Sequence, residues 1–162
     1  MAAFALALGA VGCGGDDDFS LPDWDAPGQN ARVGSLMLRY AHVAEPRHGP
    51  WKPKDDVPVY VWIYNKGDEA DKLVSARTTA ADAVEVVSSD GKRRSEEIAL
   101  PAHKLTQLER GKPHLLLRNV RKVIRGGDYI ELTVRFRDAG SHTVRVPAQT
   151  PKYDSDSPSP SE

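Results

Sequence analysis

Sulfur is what this chain has least of. Its 162 residues include one cysteine, Cys13, and two methionines, Met1 and Met37. A single cysteine excludes an intramolecular disulfide and every cysteine-rich metal pattern. Two methionines, one of them at position 1, leave almost no thioether with which to hold a soft metal ion. Long apolar runs are missing too: Met1 to Gly12 spans twelve residues, whereas a membrane-spanning helix takes about 20. Nor does either sign of charge dominate. Twenty-two Lys and Arg against 23 Asp and Glu give a formal net charge of −1, so no broad basic face points to nucleic acid. The basic cluster Arg118, Arg121, Lys122 and Arg125 is local and reads as a solvated loop. Catalytic signatures are absent as well: there is no G-x-S-x-G elbow, no H-E-x-x-H, and no glycine-rich phosphate loop opening a helix. Asp55-Asp56 and Glu96-Glu97 read as solvated neighbours rather than acid/base couples. The chain is therefore expected to be a binding protein, not an enzyme.

The first segment that carries information is MAAFALALGAVG, which ends at Cys13. A short apolar run of small residues before a cysteine reads as the end of a lipoprotein signal peptide, and Ala10-Val11-Gly12-Cys13 resembles a bacterial lipobox. Ala10 stands where Leu is usual, and no Lys or Arg precedes Arg32, so the reading frame is expected to begin further upstream. The expectation is a truncated signal peptide over 1–12 and lipid attachment at Cys13. The membrane is then the first partner, and the protein sits on the extracytoplasmic face of a bacterial cell membrane. Each buried CH₂ of an acyl chain contributes about 0.8 kcal/mol, and two chains anchor stably. Residues 13–32 mix Gly, Pro, Asp and Gln without period and read as a flexible acidic tether in which Phe19, Leu21 and Trp24 have no fixed spacing. Residues 149–162, rich in Pro and Ser, read as a disordered tail.

Between the tails, over residues 33–148, period-two alternation dominates. Ile130, Leu132, Val134 and Phe136 share one face of a strand and Glu131, Thr133 and Arg135 the other, as in a half-buried antiparallel strand. Asp138 to Ser141 forms a turn, after which Val144 and Val146 point back inward. Val57 to Tyr64 is apolar on both faces, with Val59, Val61 and Ile63 opposed to Tyr60, Trp62 and Tyr64. Such a strand is covered on both sides or exposes an aromatic patch. Helical period is absent except for a turn expected at Thr79 to Asp82. Short strands punctuated by Gly67, Gly91, Gly111 and Gly140 indicate an all-β sandwich. Glu45 to Val57 interrupts the pattern with Pro46, Pro50 and Pro53, which prevent regular strand pairing. That segment is expected to be a rigid spacer with Trp51 folded onto the domain, although loops of this kind also carry contact surfaces.

Specific residues then suggest a family. Ile98 to Val120 reads as two short apolar strands around the turn Glu109-Arg110-Gly111-Lys112-Pro113, with His114 opening the second. Together with Tyr64 to Val74, Ala81 to Val86, the strand Tyr129 to Phe136 and the ending Thr143 to Pro147, this resembles the PCu(A)C family of extracytoplasmic copper chaperones. The resemblance covers most of 33–148 and implies a Greek-key, cupredoxin-like β-sandwich. It also implies copper held by a His, a Met about eleven residues on, and a later His-x-Met. Of that set only the second histidine is present, as His114. Leu116 stands where the paired methionine belongs and Val87 where the first histidine belongs, and Ser88 to Glu97 is short and charged. Cu(I) favours thioether and imidazole donors, so a site reduced to one imidazole binds copper weakly and unselectively. His103 cannot rebuild it: if the 110–113 turn closes a hairpin, His103 lies roughly 20 Å from His114 at about 3.4 Å per residue. His42, His48 and His142 cannot be placed from sequence.

Two readings follow. The first is a membrane-anchored, non-enzymatic accessory lipoprotein with a degenerate metal site, no cofactor and an unidentified protein partner. The alternative is a working copper carrier that uses His114 with further ligands.

Overall fold

The computed structural model describes residues 29–90, 92–94 and 97–150. Cys13, the expected signal peptide, Trp24 and the tail from 151 onward lie outside the described residues, as do Gly91, Ser95 and Glu96. Every regular element among the described residues is a strand: β1 Gln29–Val33, β2 Leu36–Val43, β3 Val57–Asn65, β4 Asp71–Arg77, β5 Ala81–Val87, β6 Arg93–Arg94, β7 Ile98–Leu100, β8 Leu105–Leu108, β9 His114–Val120, β10 Tyr129–Phe136 and β11 Ser141–Pro147. They form a Greek-key sandwich of two antiparallel sheets. One has the order β1-β2-β3-β9-β5-β6, with β8 also paired to β3, and the other the order β11-β10-β4-β7. The chain crosses between the sheets repeatedly, so sequence neighbours such as β3 and β4 lie in different layers. Strand pairing begins at Gln29, so the last four residues of the expected tether belong to β1. The helical turn expected at Thr79 to Asp82 is instead a bend leading into β5.

The alternation read from the sequence is what the sheets bury. Ile130, Leu132, Val134 and Phe136 of β10 are no more than 4% exposed, and Val57, Val59, Val61 and Ile63 of β3 no more than 1%. With Leu115 and Leu117 of β9, Leu36 and Leu38 of β2, and Val144 and Val146 of β11, they form one cluster between the layers. Burial of such apolar surface contributes about 25 cal/mol per Å² and is the main term holding a sandwich together.

Two buried polar residues tie the layers where the chain crosses. Asn65, at the end of β3, donates through Nδ2 to the carbonyls of Leu100 (2.9 Å) and Glu69 (2.8 Å), and its Oδ1 accepts from Gly67 N (2.9 Å). Gly67 is required by closeness, because a Cβ there would stand 2.8 Å from Ser35 Oγ. Asp71, at the start of β4, accepts from its neighbour Lys72 N (2.6 Å) and from Asp138 N (3.0 Å) and Ala139 N (2.9 Å) of the β10–β11 turn. Burial pushes this carboxyl up, but the amides of Asp138, Lys72, Ala139 and Arg137 together outweigh that and hold it below the usual carboxylate range.

The segment around Trp51 packs as a spacer. Trp51 forms an antiparallel bridge with Ile124, its Nε1 donates to Ala44 O at 2.8 Å, and its ring leans on the core.

Candidate metal centre

The outer face of the larger sheet brings the chemistry-bearing residues together. On β9, Leu115 and Leu117 point into the core, so alternation turns His114 and Leu116 outward. On the neighbouring β5, Val87 is the direct cross-strand partner of His114, and Glu85 that of Leu116. Residues so paired have Cβ atoms about 4.5–5.5 Å apart. Val87, where the resemblance implies a histidine, thus stands beside His114, yet it is fully buried while lying outside the inter-sheet cluster.

The turn before His114 is not the hairpin expected from the sequence. Leu105 to Leu108 of β8 pair antiparallel with Tyr64 to Val61, and Leu115 to Leu117 of β9 pair antiparallel with Val59 to Val57. Strands β8 and β9 therefore run in the same direction along one edge of β3, and 109–113 is an outward loop between them. A Lys-Pro sequence after Gly serves such an excursion as readily as a hairpin, and only the pairing to β3 distinguishes them. The loop is clamped: Trp62 Nε1 donates to Glu109 Oε2 at 2.9 Å, and Lys112 Nζ lies 2.8 Å from Glu109 Oε1. The Lys112 hydrogen bond is the largest influence lowering the Glu109 pKa; burial opposes it and the Trp62 bond adds to it.

Past the loop, His114 Nδ1 lies 2.9 Å from Lys112 O. A carbonyl only accepts, so Nδ1 carries the proton and Nε2 is left as the metal-binding nitrogen. Tyr60 of β3 stands next to it, and on the far side of Tyr60 stands His42 of β2. The Tyr60 ring centre is 5.6 Å from that of His114 and 5.5 Å from that of His42, edge-on to both. His42 Nδ1 is likewise held by a backbone carbonyl, Tyr40 O at 2.6 Å. Burial pushes the His42 imidazole below its ordinary pKa, with the Tyr40 bond a smaller opposing influence. Strands β2 and β9 flank β3, so the Tyr60 ring stands between the two imidazoles, 5.5 Å from one ring centre and 5.6 Å from the other, whereas two nitrogens on one ion lie at most about 4 Å apart. The row His42–Tyr60–His114 is not a shared chelate in this arrangement.

Sequence reasoning could not place His42, and the reason is a β-bulge. Leu36 and Leu38 point inward, and strict alternation would send residues 40 and 42 after them. The register instead shifts between Arg39 and His42, with Tyr40 at φ 54, so Ala41 and Val43 take the buried positions and His42 turns outward. A bulge inserts one residue and exchanges the faces beyond it.

His48 lines a groove together with Tyr60, whereas His103, Met37 and His142 stay away. His103 lies beyond the far end of β3, next to the pairing of Tyr64 with Leu105, and its Nε2 is 3.0 Å from Asp68 Oδ1. Met37 is opposite Tyr64, four residues along the strand from the Tyr60 level and therefore about 14 Å away. His142 belongs to β11 of the other sheet. Among the described residues no group of three His, Cys, Asp or Glu is arranged to hold a metal. The residues immediately beside His114 are Val87 and Leu116, neither of which offers a donor, so this neighbourhood does not match the thioether and imidazole set that Cu(I) favours.

The nearby charges are structural. Arg118 contacts Glu85 Oε2 through Nε at 2.8 Å and Asp56 Oδ2 through Nη1 at 2.6 Å, and Asp56 also accepts from Asn119 N. Hydrogen bonds to Glu85 and then Asp56 push the guanidinium pKa further up. Asp55 accepts from Lys52 N. Arg118 and the Asp55-Asp56 pair thus carry specific contacts while remaining at least partly exposed to solvent.

A family model described as "Putative lipoprotein LpqE-like" matches residues 36–148. The chain belongs to the LpqE-like family. This LpqE-like domain also has the fold of PCuAC domains. It is similar to the apo PCuAC domain from PmoF1 (TM-score 0.67, 21% identity, covering 76% of this chain and 100% of that one). It is similar too to the copper-bound PCuAC domain from PmoF2 (TM-score 0.66, 20% identity, covering 76% and 99%). A third match is CuI-DR1885 from Deinococcus radiodurans (TM-score 0.55, 22% identity, covering 78% and 83%). Among proteins of curated function, none matches the chain significantly.

Proposed function

We propose that this protein is a membrane-anchored, extracytoplasmic accessory lipoprotein whose PCuAC-type domain has given up copper and acts by binding rather than catalysis. One observation carries the reading: the pair opposed across β5 and β9 is Val87 and His114, with Leu116 following, and the domain's methionine stands at the opposite end of β3. Anchoring rests on Cys13 after its apolar run and on the family's description as a lipoprotein.

A competition titration of residues 14–162, which contain every described strand, against a Cu(I) chelator tests the metal reading. It should show no tight stoichiometric binding, and His114→Ala should leave metal uptake unchanged. Restoring soft and imidazole donors with Val87→His and Leu116→Met should raise Cu(I) affinity on the order of tenfold or more. Leu116→Met alone is the safer variant, because Val87 is fully buried. Tight binding by the unaltered protein that His114→Ala abolishes would instead make it a copper carrier, a reading favoured by the free Nε2 of His114. Mass spectrometry of the N-terminus after expression from an upstream-extended frame tests the anchor; an unmodified Cys13 in a soluble fraction would overturn it.

A further inference from the structure

We propose that the acidic, proline-rich segment 151–162 of this chain docks into the groove between the Trp51 loop and Tyr60, beside the His114 row. The groove encloses about 490 Å³. Its walls carry Arg47, Lys52 and Arg110, none of which has an ion-pair partner among the described residues. The two carboxylates that also line it are engaged, Asp55 with the Lys52 amide and Glu45 with a partner of its own. Trp51 and Tyr60 also line it, together with Pro46, Pro50 and Pro58. Aromatic-lined grooves take extended proline-rich chain, whose preformed conformation loses little entropy on docking.

Segment 151–162 (PKYDSDSPSPSE) supplies both complements: Asp154, Asp156 and Glu162 against a single Lys152, and Pro151, Pro158 and Pro160. Its starting point aims it at the groove. Ala148 bridges Val43 in parallel, Gln149 N donates to Val43 O, and Thr150 lies against Gly126. A parallel bridge sends residues 149 and 150 in the same direction as Ala44 and Glu45, which line the groove. At up to about 3.4 Å per residue, Asp154 and Asp156 reach about 14 and 20 Å beyond Thr150, enough to meet its cations. Because the two parts share one chain, docking is intramolecular and modest contacts suffice. The acidic residues 14–28 are the competing occupant, but at Val43 the edge that would lead them in is held by Ala148. Tyr60 belongs to both the groove and the histidine row, so docking places the segment next to that row.

The test uses residues 14–162, which lack Cys13, with Ser157→Cys carrying a nitroxide label. Amide and indole signals of Arg47, Trp51, Lys52 and Arg110 should lose most of their intensity, while Thr133 and Ser75 on the other sheet keep theirs. Replacing Asp154, Asp156 and Glu162 by Asn, Asn and Gln should restore those signals, as should 1 M salt, at which screening shortens to about 3 Å. Uniform weak broadening, or broadening centred on Tyr129 and Arg145, would overturn the proposal. So would restoration by changing Asp16, Asp17 and Asp18 to Asn while the tail substitutions do nothing.

Discussion

On its inner face β3 presents Val57, Val59, Val61 and Ile63, each at most 1% exposed, and on its outer face Pro58, Tyr60, Trp62 and Tyr64, all half-buried. The inner row is covered by a second sheet and needs only apolar volume of the right shape. The outer row has no second sheet over it and is covered by its lateral neighbours. Tyr40 packs edge-on against Trp62 at 4.7 Å, His42 and His114 flank Tyr60, and Glu109 accepts from the Trp62 indole. One face is therefore held by bulk burial and the other by specific partners, and the candidate site belongs to the second kind.

The difference can be broken most forcefully from inside. Leu132→Ala removes a side chain that is 1% exposed and should lower unfolding free energy by about 2–5 kcal/mol. Glu131→Ala, on the exposed face of the same strand, should cost under about 0.5 kcal/mol. Denaturant titrations of the two variants compare the faces directly, and equal losses would mean that β10 does not bury one face.

Asp71→Asn should come next, at about 1.5–3 kcal/mol near neutral pH, because it removes a charge that accepts several backbone amides. Because the folded carboxyl titrates below its unfolded value of about 3.9, its contribution is complete above that value. It is lost as pH falls through the folded pKa. Stability curves of wild type and variant should therefore keep a constant gap well above about pH 4 and converge as pH falls through the folded pKa.

Trp62→Phe keeps most of the aromatic packing but deletes the donor to Glu109, and should cost about 1 kcal/mol. A loss as large as that of Leu132→Ala would show the outer row to be as dependent on burial as the inner. The smallest effect belongs to His42. Burial holds its folded pKa below the unfolded value of about 6.5, so the unfolded chain takes up the proton first. Stability should decline as pH falls from about 6.5 towards the folded pKa, and His42→Gln should remove that portion of the decline.

The two faces also differ in how far they can be read without coordinates. The inner faces of β3, β10 and β11 follow from period-two alternation, because each residue's side is set by its own strand. On β2 the same rule fails after Leu38, since the bulge at Tyr40 leaves no mark in the pattern of apolar residues. The 109–113 segment fails for a related reason: Gly111 and Pro113 announce a turn but not which strand the chain pairs with afterwards. Likewise Arg118 and Asp56 are 62 residues apart in sequence, and nothing local announces their 2.6 Å contact.

By itself the sequence determined the all-β sandwich, the residues that fill its middle, and the shortage of sulfur, with two methionines and one cysteine in 162 residues. These are properties of composition and of neighbouring residues, which the chain carries whether folded or not. The tertiary structure alone decided that Val87 stands opposite His114, that His42 joins the row through Tyr60, and that β8 and β9 run in line along β3. Each of these depends on the register between strands distant in sequence, and register is fixed only when the sheets pair and pack.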